Sequence, residues 1–280
     1  MTPDQYCENK ASQSGSSFYY AFRFLPPEKR AAITAFYAFC READDLVDEV
    51  SDTNVARTKL LFWRKEIDAL YANAPQHPVT KALQRHVVPM RLPQQAFHTV
   101  LDGMQQDLEK TRYLDFNELK LYCYQAAGVV GEVSARIFGI DSPENPKTLE
   151  YARTMGEALQ LMNIIRDVGE DARRGRIYLP SDDLVRFNVS VADILQSRST
   201  DAFKAMMQFQ YERASATYDR ALAVLPAEDK RAQKPGLAMG AIYRALLEEI
   251  KRDGFGVLER RVSLTPVRKL WIAWKTVTFA

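Results

Sequence analysis

Residues 156–171 read Gly-Glu-Ala-Leu-Gln-Leu-Met-Asn-Ile-Ile-Arg-Asp-Val-Gly-Glu-Asp, and this stretch narrows the choice of fold most. At about 100° per residue, a helix brings Gln160, Asn163, Asp167 and Asp171 within about 80° of one another. Leu159, Leu161, Met162, Ile164, Ile165 and Val168 cover most of the remaining circumference. A surface helix spreads its polar residues over about half its perimeter, with Lys and Glu prominent. Here a thin line of short Asn, Gln and Asp side chains runs along an apolar rod. Such a rod packs in a core and turns its polar line towards an internal, wet cavity.

A second segment repeats the pattern. In Tyr-Ala-Phe-Cys-Arg-Glu-Ala-Asp-Asp-Leu-Val-Asp, residues 37–48, Tyr37, Arg41, Asp44 and Asp48 fall within roughly 60°. Buried carboxylates at i and i+4 repel, which raises the proton affinity of one of them. A divalent cation removes that conflict. Short carboxylates, an amide oxygen and water are the donors Mg²⁺ prefers, usually with substrate phosphate completing the shell. Two facing DxxxD helices would thus hold several Mg²⁺ around a diphosphate. Either pair by itself also reads as a solvated acidic face, or as structural ion pairs with Arg41 and Arg166. Repetition on two apolar helices favours the metal reading.

The rest of the chain is helical in pattern. Apolar residues recur every three or four positions, and few runs alternate. The periodicity and the proline breaks predict helices over 28–50, 54–73, 78–88, 93–109, 115–139, 146–172, 199–225, 230–253 and 266–277, with an irregular piece at 173–189. No linker or repeat divides them, so one all-α domain over 1–280 is expected. Lys plus Arg is 38 against 36 for Asp plus Glu, which gives no whole-surface case for nucleic acid. The 12 glycines include no GxGxxG, so no dinucleotide loop is visible. Three cysteines and three histidines share no ligand spacing, which argues against zinc and for reduced thiols in a cytoplasmic protein. MTPDQYCENK lacks the basic start and apolar core of a signal peptide. After Glu259 the chain has no acidic residue and interleaves Arg260, Arg261, Arg268, Lys269 and Lys275 with Trp271, Ile272, Trp274 and Phe279. Residues 266–280 therefore suit a peripheral helix on the inner face of a membrane, and equally a last helix docked on the bundle.

YAFCREADDLVD at 37–48, YCYQAAGVVGEV at 122–133, QLMNIIRDVGEDARRGRIYLP at 160–180 and SGSSFYYAFRFLPPEKR at 14–30 resemble the squalene/phytoene synthase family, the head-to-head prenyltransferases. The tail DGFGVLERRVSLTPVRKLWIAW at 253–274 is most similar to the bacterial presqualene diphosphate synthases of hopanoid pathways. The resemblance implies an isoprenoid-synthase helical bundle with a central tunnel, Mg²⁺ at its mouth, and two molecules of farnesyl diphosphate joined into presqualene diphosphate. Asp44, Asp48, Asn163, Asp167 and Asp171 are then the expected metal ligands. Arg41, Arg166 and Arg261 add positive charge, and Ser17, Tyr178 and Tyr243 donate hydrogen bonds to diphosphate. Phe18, Phe22, Ala126, Val130, Gly131, Leu159 and Gln160 wall the prenyl tunnel, with small residues leaving room for the tails. The base is released diphosphate or a tyrosine such as Tyr37. NADPH is not expected, and later enzymes of a hopanoid pathway are the expected partners. The alternatives are a phytoene synthase using geranylgeranyl diphosphate, a squalene synthase, a terpene cyclase and a helical scaffold with a degenerate site.

Overall fold

The computed structural model describes residues 1–13, 22, 25–48, 52–140 and 146–279. The expected site residues Ser17 and Phe18 lie outside the described residues, as do the side chains of Asp48 and Phe279. The long helices are α1 (Pro3–Gln13), α2 (Pro27–Asp48), α3 (Thr53–Tyr71), α4 (Pro78–Val87), α5 (Gln94–Glu109), α6 (Phe116–Cys123), α7 (Val129–Phe138) and α8 (Pro146–Arg173). They are followed by α9 (Ser181–Arg186), α10 (Val191–Leu195), α11 (Asp201–Val224), α12 (Lys234–Arg252) and α13 (Pro266–Phe279). No strand forms among the described residues. The fold is the all-α isoprenoid-synthase bundle that the motifs imply.

Local chemistry explains most boundaries. α2, α4, α8 and α13 each open on a proline, whose missing N–H costs nothing in the first turn. Asp52, Asp115 and Thr200 cap α3, α6 and α11 by accepting from the backbone N–H of Asn54, Glu118 and Phe203. α8 is the central rod: sixteen of its residues are buried, and it packs against α7, α11 and α12. Phe36 and Phe39 of α2 meet Trp63 of α3 and Phe97 of α5 in edge-to-face contacts, which fixes α2 in the core.

Three features depart from the predicted helices. α1 carries too few apolar residues for a visible stripe, yet it docks on α2 and α4 through buried Cys7 and Ala11. Lys10 of α1 pairs with Asp45 at 2.6 Å, and the Tyr6 hydroxyl donates to Glu42 at 2.7 Å. The expected helix over 115–139 is interrupted by a π-helical turn at Tyr124–Gly128. The irregular piece contains α9 and is pinned by a parallel bridge between Arg112 and Ile177. There the Ile177 N–H donates to Thr111 at 3.0 Å and the Ser181 N–H to Tyr113 at 2.9 Å.

Candidate active site

A cavity of about 540 Å³ lies between α2, α5, the π turn, α7, α8, α12 and residues 261–264. α8 forms its longest wall. Tyr151, Ala152, Met155, Gly156 and Leu159 line it first, then Gln160 and Asn163, then Arg166, Asp167, Glu170 and Asp171. The lining therefore changes from apolar to charged along one helix. Asp44 and Arg41 of α2 line the same cavity as Asp167 and Asp171, so the two acidic stripes converge. Tyr37, Phe22, Ala126, Val130, Gly131, Tyr178, Tyr243 and Arg261 line it as well.

Each described aspartate has a distinct environment. Arg41 donates to Asp44 at 2.5 Å and to Asp45 at 2.7 Å. Asp45, the extra acid of the first motif, is thus bound between Arg41 and Lys10 rather than in the cavity lining. Burial pushes the Asp167 carboxyl upward, but Arg166 at 2.5 Å and Arg261 at 2.8 Å outweigh it and hold the group below the usual carboxylate range. Asp171 differs: burial, then the neighbouring Asp167 charge, push it up to about 7. No ion pair to Asp171 forms among the described residues.

The reach of Arg261 to Asp167 has a backbone cause. A Cβ on Gly169 would stand 2.5 Å from the Leu258 carbonyl oxygen. Only glycine lets the 3₁₀ turn at Gly256–Leu258 lie against α8 and deliver Arg261 to the cavity. The small residues of the 126–131 segment act similarly. A Cβ on Gly131 would meet the Ala152 carbonyl oxygen at 2.1 Å, and one on Gly156 the Ala127 oxygen at 2.3 Å. Gly131 therefore brings backbones into contact and does not leave the space for prenyl tails that its size suggests, although it borders the cavity.

The donor set suits a hard divalent cation. Oxygen ligands dominate the polar end, and the cavity lining has no imidazole. The Asn163 side-chain oxygen is buried without a hydrogen-bond partner, while its amide donates to Gln160 at 3.3 Å. The buried Asn163 amide oxygen and, two turns further along α8, the Asp171 carboxylate are oxygen donors of the kind a hard divalent cation takes. Among the described residues no three acidic, cysteine or histidine side chains are yet gathered around one point. Asp44 and Asp167 are held by arginines instead.

One buried acid of the cavity escapes the sequence reading. Asp107 of α5 is only 9% exposed. It accepts from the Tyr178 hydroxyl at 2.7 Å and from Tyr122 at 3.0 Å. The proton Tyr178 was expected to offer a diphosphate is therefore committed to Asp107. The available signal is that Asp107 occupies position i+7 from Val100 and i+3 from Met104, on the face that periodicity assigns to the core. At the other end of the chain α13 docks on α12 through buried Ala273, with Lys234 donating to the Val277 carbonyl at 2.7 Å. Trp271 and Trp274 stay 56% and 50% exposed. No described helix is long and apolar enough to cross a membrane.

Comparison with known proteins places this geometry. The squalene/phytoene synthase family model matches residues 11–268. The chain is 35% identical over 280 residues to the 15-cis-phytoene synthase of Synechocystis sp., covering 96% of this chain and 83% of that protein. It is 36% identical over 270 residues to the chloroplastic phytoene synthase of an Oncidium hybrid cultivar, covering 95% of this chain but 64% of that longer relative. A dehydrosqualene synthase crystal structure superposes with a TM-score of 0.86 at 26% identity, covering 99% of this chain and 96% of that one. These relatives overturn the expected presqualene diphosphate synthase assignment, and they lend no support to the expected hopanoid-pathway partners or to farnesyl diphosphate as substrate. With both acidic helices on one graded cavity and a family match over most of its length, the chain belongs to the squalene/phytoene synthase family of head-to-head prenyltransferases.

Proposed function

We propose that the chain joins two molecules of geranylgeranyl diphosphate head to head, through a cyclopropyl diphosphate, to a C40 hydrocarbon of the phytoene type. The observation that carries the reading is the single cavity whose wall runs from carboxylates and arginines to apolar side chains along α8, since a prenyl diphosphate is polar at one end and greasy along its length. The names of the curated relatives support the longer chain.

In this reading Arg41, Arg166 and Arg261 offset charge on the departing diphosphate, and Ser17 and Tyr243 hydrogen-bond to it. Asp44, Asp48, Asn163, Asp167 and Asp171 would hold Mg²⁺, which when bound supplies Lewis-acid stabilisation of the leaving group. Phe18, Phe22, Ala126, Val130, Gly131, Leu159 and Gln160, with the Tyr37 ring, shield the allylic cation from water. Phytoene formation ends in loss of a proton, so the reaction needs no NADPH. Residues 1–280 act as one catalytic domain. α13 rests on the membrane that stores the greasy product, its exposed tryptophans at the interface and the exposed Lys275 available to anionic headgroups.

Competition between geranylgeranyl and farnesyl diphosphate tests the substrate. The expected kcat/KM favours geranylgeranyl diphosphate at least about tenfold, which a pocket gains from burying one extra isoprene unit. A preference for farnesyl diphosphate would overturn the reading.

A further inference from the structure

We propose that Asp107 is a positioning residue for proton removal: through the Tyr178 hydroxyl it takes up the proton released when the two prenyl chains join. The inference rests on the head-to-head reaction proposed above and assigns the base that the sequence leaves open between diphosphate and Tyr37.

The geometry begins with a charged residue in the wrong solvent. Asp107 lies on the core face of α5 beside Met104 and borders the cavity. No arginine or lysine pairs with it among the described residues; two phenols do. Tyr178 donates to one carboxylate oxygen at 2.7 Å and Tyr122 to the other at 3.0 Å. Both rings border the cavity. Tyr113, fully buried, stacks on Tyr178 at 5.7 Å and 22° and contacts Tyr122 at 5.4 Å. The bridge between Arg112 and Ile177 ties the two loops that carry Tyr113 and Tyr178. The rings are therefore fixed, with both phenol oxygens held on the Asp107 carboxylate at the cavity wall. Burial raises the Asp107 carboxyl to about 6, against the lowering effect of Tyr178, Arg176 and Tyr122. That value lies near working pH, where a proton acceptor is most effective.

A phenol is a poor base by itself, and the carboxylate behind it removes that weakness. After the donor chain loses diphosphate, its C1 cation is attacked by the C2–C3 double bond of the acceptor chain. The cation moves to C3 of the acceptor. The donor C1–H bond then breaks, and its electron pair forms the ring bond from C1 to C3. The proton passes to the Tyr178 oxygen as the Tyr178 proton passes to Asp107. Nothing is oxidised or reduced, and the carboxylate ends protonated, ready to release the proton to solvent.

The test uses the full-length chain with whichever of geranylgeranyl and farnesyl diphosphate the unaltered protein converts faster, Mg²⁺ present. Asp107→Asn keeps the size and one of the two accepted hydrogen bonds but has no basic oxygen to protonate; Tyr178→Phe removes the relay. Each variant is expected to lose on the order of 100-fold in kcat, with KM within about threefold. With substrate deuterated at C1, each is expected to show a primary isotope effect on kcat larger than that of the unaltered protein, because proton removal has become slow. Should Asp107→Asn fail to fold by circular dichroism, Tyr178→Phe decides. An unchanged kcat, a loss carried by KM, or an unchanged isotope effect overturns the assignment. Failure of the unaltered protein to convert either diphosphate instead overturns the function reading and takes the assignment with it.

Discussion

Replacing Gly131 or Gly156 by alanine tests whether small residues at the centre of the molecule exist to seat helices or to house substrate. A methyl on Gly131 would lie 2.1 Å from the Ala152 carbonyl oxygen, and one on Gly156 would lie 2.3 Å from that of Ala127. Restoring an ordinary separation of about 3.5 Å requires shifts of about 1.4 Å and about 1.2 Å. The obstacle is backbone in both cases, so no side chain can swing aside. Overpacking of this kind costs about 1–3 kcal/mol per site. The midpoint of thermal unfolding should fall about 2–4 °C for each kcal/mol in a protein of this size. Moving α7 or the π turn away from α8 relieves both clashes, so the double variant should lose less than the sum of the two singles. Urea titration followed by circular dichroism reads the loss, and steady-state kinetics read its consequence, since a shift of about 1 Å in a wall that positions substrate can cost on the order of 100-fold. If instead the glycines simply leave room for prenyl tails, alanine should shorten the accepted chain and leave stability unchanged. Stability within about 0.5 kcal/mol for both single variants would refute the packing argument.

Asp44→Asn and Asp167→Asn should each lower turnover more than about 1,000-fold while far-UV circular dichroism is unchanged, because both side chains border the cavity; activity in excess chelator would contradict the metal assignment. At Glu66, burial raises the carboxyl, but donors on Thr80 at 2.5 Å, His77 at 2.6 Å and Gln76 at 2.6 Å outweigh it and hold the group low. Its contribution is therefore present above the unfolded-state value near 4.5 and is lost as pH falls through the lower folded value. Thr80→Val should cost about 1–2 kcal/mol at neutral pH, and the gap should close as the medium is acidified through that lowered folded value. Replacing Trp271 and Trp274 together by serine should abolish flotation with anionic phospholipid vesicles without altering turnover in detergent; equal flotation of both proteins would remove the membrane contact.

The two acidic stripes were legible because each sits on a helix whose other faces are apolar, and a narrow polar line on such a rod has few destinations. Long-helix boundaries followed from proline and capping residues. Other parts of the site were hidden because their cause is tertiary. Asp107 reads as one more acid until α6 and the loop at 178 bring phenols to it. Asp45 is one more acid of the first motif until α1, a helix without a clear stripe, supplies Lys10. The π turn leaves no signature in apolar spacing, since five residues of a wider turn disturb the pattern by less than one side chain. At Gly131 size alone does not say whether the space is filled by substrate or by the next backbone; the approach of the Ala152 carbonyl shows the backbone there.

Mass analysis of the organic extract after incubation with geranylgeranyl diphosphate, Mg²⁺ and no reductant addresses the central claim most directly. A C40 hydrocarbon formed by two-fold condensation, with inorganic diphosphate released, is the predicted result. Recovery of unreacted geranylgeranyl diphosphate alongside rapid conversion of farnesyl diphosphate to a C30 product would contradict it.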